Sequence, residues 1–345
     1  MAYRIKLHEP VEKAVRRIVR SQIDQALDEL SAAEILAKGV HESRKSLKRM
    51  RALIRLIAPA MGAKKAKARN AALRDIGLLL ESRREADVCL ETLSQLEQTV
   101  DTGDLAALAG LRDRLIANEM AGPALLDPAI AEQARAALIE EARRFSKIRI
   151  KGKGFDALSE GLEDSYRAGR RALVKAARTP TSETVHNLRK TVQWHWRQMS
   201  LLSRAWPDEF QARIAAAREL SQILGDDHDL AMLEQAACGL GLPAAQMAEI
   251  SRICLTRQTA LRTIAHPLCG RLFAETAGAF RRRMAAYWDF GRRALPAKDN
   301  DIKQTKTAES ASLGPSSPAP AGISKVSAPR LASKTPGPSP SQRRA

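Results

Sequence analysis

Residues 40–57 read VHESRKSLKRMRALIRLI, and the spacing of this stretch decides the fold class. On a helical wheel with about 100° per residue, Arg44, Lys45, Lys48 and Arg55 fall within about 60° of His41. Arg49 and Arg51 lie at the two edges of that stripe, and Leu47, Met50, Leu53, Ile54 and Ile57 take the opposite side. A cationic ladder backed by an apolar face describes a helix at the rim of a core. Like charges at i,i+3 and i,i+4 repel by about a few tenths of a kcal/mol per pair, and no acid lies between Arg44 and Arg55 to offset this. A merely solvated face mixes Lys and Arg with Glu. This face therefore points to an anionic ligand.

The stretch recurs. Val40–Ser46 aligns with Val185–Thr191 at an offset of 145 residues. In the second copy Arg189, Lys190, Arg197 and Arg204 share the face of His186, with Leu188, Val192, Met199 and Leu202 opposite. Gln193 stands in the place of Lys48 and Trp196 in that of Arg51, so this copy carries less charge, and the first half is expected to bind harder. A second, looser alignment pairs Leu80–Val88 with Leu224–Met232 at an offset of 144. A nearly constant offset across two motifs implies two similar helical halves, joined around Lys151–Gly154. A third ladder, Arg167, Arg170, Arg171 and Arg178, precedes the second copy as a further expected wall of the site; its rough counterpart is Arg16, Arg17 and Arg20.

The rest of the chain agrees with an all-α fold. Hydrophobic residues make up 44% of the 345, enough for a sizeable core, while aromatics make up only 4%, too few to fill pleated surfaces. Helices are expected over Glu9–Leu30, Gly39–Ala58, Lys64–Gln98, Asp104–Asn118, Pro128–Lys147, Ala157–Ala177, Ser182–Arg204, Pro207–Leu224, Asp229–Gly239, Pro243–Thr263 and Pro267–Arg293. The breaks fall at Pro59, Gly62, Ala121–Pro123, Pro180, Pro207, Gly241 and Pro243, among others. From Pro296 to Ala345 apolar residues are isolated and eight of the chain's 16 prolines occur, so a disordered basic tail is expected there. Residues 1–295 then form the helical domain, with halves at about 5–150 and 155–293.

Net charge is +18, and +13 of it remains without the tail. Such an excess calls for an acidic partner: polyphosphate, nucleic acid or an anionic surface. The ladder chemistry suits phosphate, because Arg binds its oxygens bidentately and Lys adds a mobile charge. His41 and His186 can each donate to a phosphate oxygen or anchor a helix start. His195 lies about 180° from the cations of its helix and reads as a core histidine with a satisfied hydrogen bond. Cys89, Cys238, Cys254 and Cys269 form no CxxC pair and read as reduced, buried residues of a cytoplasmic protein. The N-terminal stretch lacks a signal-peptide apolar run, and no apolar stretch is long enough to span a bilayer.

Asp226-Asp227-His228-Asp229 is the most enzyme-like group. It can hold a metal with His186, or it can cap a helix starting near Asp229 and pair with neighbouring arginines.

The pattern His-x-x-Arg-Lys-x-x-Lys-Arg-x-Arg at His41–Arg51, its copy from His186, the Tyr166–Leu173 stretch and Leu224–Leu230 together resemble the CHAD domain, the conserved histidine α-helical domain, over roughly residues 5–293. The resemblance implies two four-helix bundles related by a pseudo-twofold with a basic groove or channel between them. It implies binding of inorganic polyphosphate and, in some members, association with polyphosphate granules; separately, no cofactor is expected. It carries binding roles to His41, Arg44, Lys45, Lys48, Arg49, Arg51, His186, Arg189 and Lys190, and to Arg167, Arg170 and Arg171. The wheel adds Arg55 and Arg197, and the first-half ladder adds Arg16 and Arg20. An ExExK signature of the CYTH triphosphatase fused to some members is absent, so triphosphatase activity is not implied. A non-catalytic polyphosphate-binding module is the leading reading. A nucleic-acid-binding protein and a metal-dependent phosphohydrolase are the alternatives.

Overall fold

The computed structural model describes residues 3–31, 37–80, 84–120 and 126–311, and every regular element among them is a helix. In chain order these are α1 (Val11–Glu29), α2 (Ala37–Met61), α3 (Ala63–Leu79), α4 (Arg84–Glu97), α5 (Thr102–Leu108), α6 (Leu111–Met120), α7 (Pro128–Ser146), α8 (Asp156–Arg178), α9 (Ser182–Leu202), α10 (Pro207–Cys238), α11 (Ala244–Leu272) and α12 (Ala277–Ala311). Local chemistry starts several of them. Thr181 Oγ1 accepts from Thr184 N at 3.3 Å while Thr184 Oγ1 accepts from Thr181 N at 3.0 Å, a reciprocal cap that opens α9. Asp127 caps α7 by accepting from Ala129 N at 2.8 Å, with Pro128 filling the first position, where no N–H partner is needed.

Two closed rings of four helices result. In the first, α1 packs on α2, α2 on α3, α3 on α7 and α7 on α1. In the second, α8 packs on α9, α9 on α10, α10 on α11 and α11 on α8. The rings meet where α2 lies against α8 and α9. At this junction a Cβ on Gly161 of α8 would sit 2.1 Å from the Leu56 carbonyl oxygen of α2, so only glycine permits the approach. One large apolar core runs through both rings and includes Phe280, Met284 and Trp288 of α12. A smaller core joins Cys89, Leu93 and Leu96 of α4 to Leu111 and Leu115 of α6, Leu230 and Leu233 of α10, and Ile250 and Cys254 of α11.

Several expected boundaries move, each for a packing reason. The single helix expected over Lys64–Gln98 is two, because α3 serves the large core through Leu73 and Ile76 while α4 serves the smaller one. Residues 84–120, assigned by the repeat to the first half, pack on α10 and α11 instead. Asp104–Asn118 is also two helices, separated at Gly110 with φ +74°. Conversely, Pro207–Leu224 and Asp229–Gly239 are one helix, α10. The cost of about 1 kcal/mol for Gly225 inside it is outweighed by burial of Leu220, Leu224, Leu230 and Leu233 on either side. Pro267 likewise lies within α11, where burial of Ala265, Cys269 and Leu272 offsets the lost backbone bond.

The start of the expected disordered tail falls within α12. α12 runs through Pro296 to Ala311, over a stretch without glycine after residue 291 and without proline after 296. Residues 312–345 of that tail, the Ala121–Pro123 break and the Glu81–Arg83 part of the second alignment lie outside the described residues. The chain divides into one compact unit, Met1–Pro296, and a second, Ala297–Ala345. Cys89, Cys254 and Cys269 are buried, and burial pushes the thiols of Cys254 and Cys269 up to about 12. Cys238 is exposed at the end of α10, contrary to the expectation that all four are buried. Among the described residues no helix is long and apolar enough to cross a membrane.

Candidate functional site

The wheel faces hold. Leu47, Met50, Leu53, Ile54 and Ile57 of α2 are buried, as are Leu188, Val192, Met199 and Leu202 of α9. The cationic faces of the two helices are thereby left to meet at the junction, where α10 closes the third side. A cavity of about 360 Å³ opens there. His41, Arg44, Lys45 and Lys48 line it from α2, Arg189, Gln193, Trp196 and Arg197 from α9, and Ser221, Gln222, His228, Asp229 and Met232 from α10.

Burial and neighbouring structure aim these cations. Arg44 Nη1 donates to the Leu80 carbonyl at 3.2 Å, which draws its guanidinium toward the end of α3. Lys45 Nζ donates to Glu42 Oε1 at 2.8 Å, whereas Lys48 is exposed at the cavity rim. Arg189 is stretched across Gly225, where a Cβ would lie 3.1 Å from Nη2, and Nη1 stands 3.9 Å from Asp229 Oδ1. Gly225 therefore makes room for a cation and does not break the helix. Arg197 is 5% exposed; Nη1 donates to the Gln193 carbonyl at 2.9 Å and the guanidinium lies 4.2 Å from the Trp196 ring centroid. Burial, with Arg49, Arg218 and Arg189 nearby, pushes its pKa down to about 10, so it stays charged at neutral pH. Arg218 of α10 lies 4.8 Å from the same ring.

Beside the cavity, the imidazoles of His186 and His228 pack with centroids 4.2 Å apart. Burial is the main cause that brings both pKa values down to about 4, and Arg189, Lys190 and Lys48 push the same way. Both rings are thus neutral at pH 7, and Nδ1 of His186 is buried without a hydrogen-bond partner.

The remaining predicted residues divide. Lys190 is exposed at the same end and feels Arg51, after burial the next cause lowering its pKa. Arg51 donates from Nε to Asn70 Oδ1 at 3.0 Å, Arg55 lies 3.5 Å from the Trp194 ring centroid, and Arg49 donates to Gln22 Oε1 at 3.2 Å. These three hold α2 to α3, α9 and α1 and do not line the cavity. Arg16 pairs with Glu12 at 2.6 Å and Arg20 lies 3.8 Å from Asp24 Oδ2, both along α1 and away from the cavity. Arg167, Arg170 and Arg171 are not a third wall: they line a different cavity, between α8 and the start of α12. His195 is 3% exposed and accepts from Arg213 Nε at 3.1 Å, as a core histidine should.

The Asp226–Asp229 group does not cap a helix, since α10 runs through it. One turn of helix aims its carboxylates apart. Asp227 is buried and accepts from Arg262 Nε at 2.5 Å; Asp226 accepts from Gln222 at 2.8 Å; Asp229 faces Arg189. Among the described residues no three His, Cys, Asp or Glu side chains come together as a metal site.

Arg218, Gln222 and Asp229 form one group only on a continuous α10, not on two separate helices. Read as continuous, positions 218, 221, 222, 225, 229 and 232 form a single stripe at helical spacing. Trp196, read as a loss of charge, in fact gathers two guanidiniums.

The family model of the CHAD domain matches residues 17–237, well over half of the chain. Among solved structures, PptA from Streptomyces chartreusis is similar in fold, with a TM-score of 0.52 at 12% identity, over 77% of this chain and 100% of that one. No curated protein matches the chain.

Proposed function

On the premise that the chain belongs to the CHAD domain family, we propose that it binds inorganic polyphosphate, without turning it over, in the cavity between α2, α9 and α10, and that this binding directs it to polyphosphate granules. The observation that carries the reading is the convergence of Arg44, Lys45, Lys48, Arg189 and Arg197 on one space of about 360 Å³, where Asp229 is the only lining carboxylate among the described residues. Bringing five cations together repels, and among the described residues Glu42 beside Lys45 and Asp229 beside Arg189 do not offset all of it. A linear polyanion with roughly one charge per phosphate does, and release of its counterions drives binding.

The alternatives fit less well. A single-stranded nucleic acid needs stacking platforms, but the Trp194 and Trp196 rings already carry the guanidiniums of Arg55, Arg197 and Arg218. A metal-dependent phosphohydrolase needs converging ligands, and the carboxylates of α10 are committed to Arg262, Gln222 and Arg189. A salt-resolved titration with defined-length polyphosphate tests the reading. Arg44→Ala/Lys48→Ala and Arg189→Ala/Lys190→Ala should each weaken binding by about a hundredfold, as expected for two charge-assisted contacts. Unchanged affinity in both variants refutes the site. Displacement by duplex DNA at equal phosphate concentration refutes the ligand. Phosphate release with Mg²⁺, Mn²⁺ or Co²⁺ refutes the absence of turnover.

A further inference from the structure

The connection between the two rings carries cations remote from the cavity. After α7 the chain runs without helix through KIRIKGKG, residues 147–154, before α8 begins. Burial alternates along it. Ile148 is buried and Ile150 half-buried, both against the large core, whereas Lys147, Arg149, Lys151 and Lys153 are exposed. Alternate residues of an extended run point to opposite sides, so these four cations share the outer one. The backbone is pinned along its length. Arg16 Nη2 donates to the Ile148 carbonyl at 2.9 Å, Ile150 N donates to Glu12 Oε2 at 3.1 Å, and Lys151 N donates to the Ala60 carbonyl at 2.9 Å.

The bond from Lys151 lays this run across the turn between α2 and α3, where Lys64, Lys65 and Lys67 are exposed as well. Residues 60–70 and 147–155 contain no acid. Glu12 reaches the run but is already engaged by Ile150 N, by Arg16 at 2.6 Å and by Arg149 at 3.6 Å. Among the described residues none of the six lysines at 64, 65, 67, 147, 151 and 153 forms an ion pair. The helix dipole favours Lys147 at the end of α7, but it opposes Lys64 and Lys65 in the first turn of α3, where no acid balances them. Folding gains nothing from that placement, whereas an anionic partner offsets it.

We infer that this surface, at the far end of α2 from the cavity, docks the phosphate backbone of duplex nucleic acid without reading its sequence. The inference does not depend on the polyphosphate reading of the cavity. From Lys48 at the cavity rim to Ala60 beside Lys151 is about 18 Å along α2, roughly two Debye lengths at physiological salt. The two surfaces share no residue and act separately. Six of the seven cations are lysines on an open face, mobile point charges that contact phosphates and carry no base readout. They stand on a pinned backbone, so a stiff duplex docks with little ordering cost, while a flexible polyphosphate chain loses conformational freedom on an open face. None of the large apolar side chains exposed among the described residues lies within 60–70 or 147–155, so the surface has nothing to insert into a bilayer.

The test measures binding of a short random-sequence DNA duplex to the full chain over a range of salt concentrations. At physiological salt the wild type should bind with a Kd on the order of micromolar, as for sequence-independent contacts. Lys65→Gln/Lys151→Gln/Lys153→Gln should weaken this by about tenfold or more and lower the salt slope by about one per lysine removed. It should leave the affinity for long-chain polyphosphate and the Tm unchanged, which sets unfolding aside. Lys65→Arg/Lys151→Arg/Lys153→Arg should keep the DNA affinity. A Gln variant that binds DNA like the wild type overturns the inference. So does an equal loss of polyphosphate binding in that variant, since the surface then belongs to the polyphosphate path. A wild type that ignores DNA but binds phosphatidylglycerol vesicles through these lysines overturns it too. Arg44→Ala/Lys48→Ala, which removes cations of the cavity, should bind DNA like the wild type; loss of DNA binding there merges the two surfaces and refutes the inference. Absence of polyphosphate binding in the wild type counts against the proposed function of the cavity alone, and the DNA result stands by itself.

Discussion

α2 and α9 carry the same ladder and use it differently. α2 has more cations, but only its first turns reach the cavity, through His41, Arg44, Lys45 and Lys48; Arg49, Arg51 and Arg55 are spent on Gln22, Asn70 and Trp194. α9 has fewer, yet Arg189 and Arg197 are held well inside, and Trp196 brings in Arg218 from α10. A charge is worth more where water is excluded. The comparison teaches that counting cations on a helix ranks the two halves the wrong way if burial decides, and the right way if number decides.

The sharpest test sets one residue from each helix against the other. Arg197→Ala should weaken polyphosphate binding by about thirtyfold or more, because a buried charge-assisted contact is lost. Lys45→Ala should cost at most about threefold, since a half-exposed lysine already paired with Glu42 contributes little. Isothermal titration of both variants decides the matter. A larger loss in Lys45→Ala would restore the charge count, and with it the expectation that the first half binds harder.

A second test uses the pair of imidazoles. In the free protein His186 and His228 titrate near pH 4, because burial and the surrounding cations disfavour their charged forms. A bound polyanion favours those forms, so the complex holds more protons than the free protein at pH 5–7. By linkage, affinity should rise as pH falls from 7.5 toward 5, by up to about tenfold, and level off near pH 4, where the free protein is protonated as well. His186→Gln/His228→Gln should flatten this dependence in titrations run at several pH values.

Smaller effects probe the substitutions that distinguish the copies. Trp196→Leu keeps an apolar side chain but removes the ring beneath Arg197 and Arg218, and should weaken binding by about fivefold, as for a partly desolvated cation–π contact. Gln193→Lys restores to α9 the cation that α2 has at Lys48. It should tighten binding by about twofold to threefold and steepen the salt slope by about 0.7. No change in either would remove α9 from the account of the cavity.

Much of this was legible in the chain itself. The period of 3.6 residues separated cations from Leu, Met and Ile on α2 and α9, and the buried faces agree with it residue by residue. The same wheel put His195 in the core, where Arg213 meets it. Punctuation was less reliable. Gly225 and Pro267 look like breaks, yet α10 and α11 run through them, since apolar contacts on both sides outweigh a local cost of about 1–3 kcal/mol. Reading α10 as broken hid the stripe from Arg218 to Met232 that closes the cavity.

The sequence by itself determined that the chain is helical, which face of each helix is apolar, and that three of those helices carry unbalanced cations. These are local properties, set by spacing within a few turns. Only the tertiary structure decided which ladders face one another. α2 and α9 meet because Gly161 lets α8 come against the α2 backbone, while Tyr166 and Gly169 turn the α8 ladder toward α12 and out of that cavity. Pairings of this kind depend on contacts more than a hundred residues apart in the chain, and no helical period encodes them.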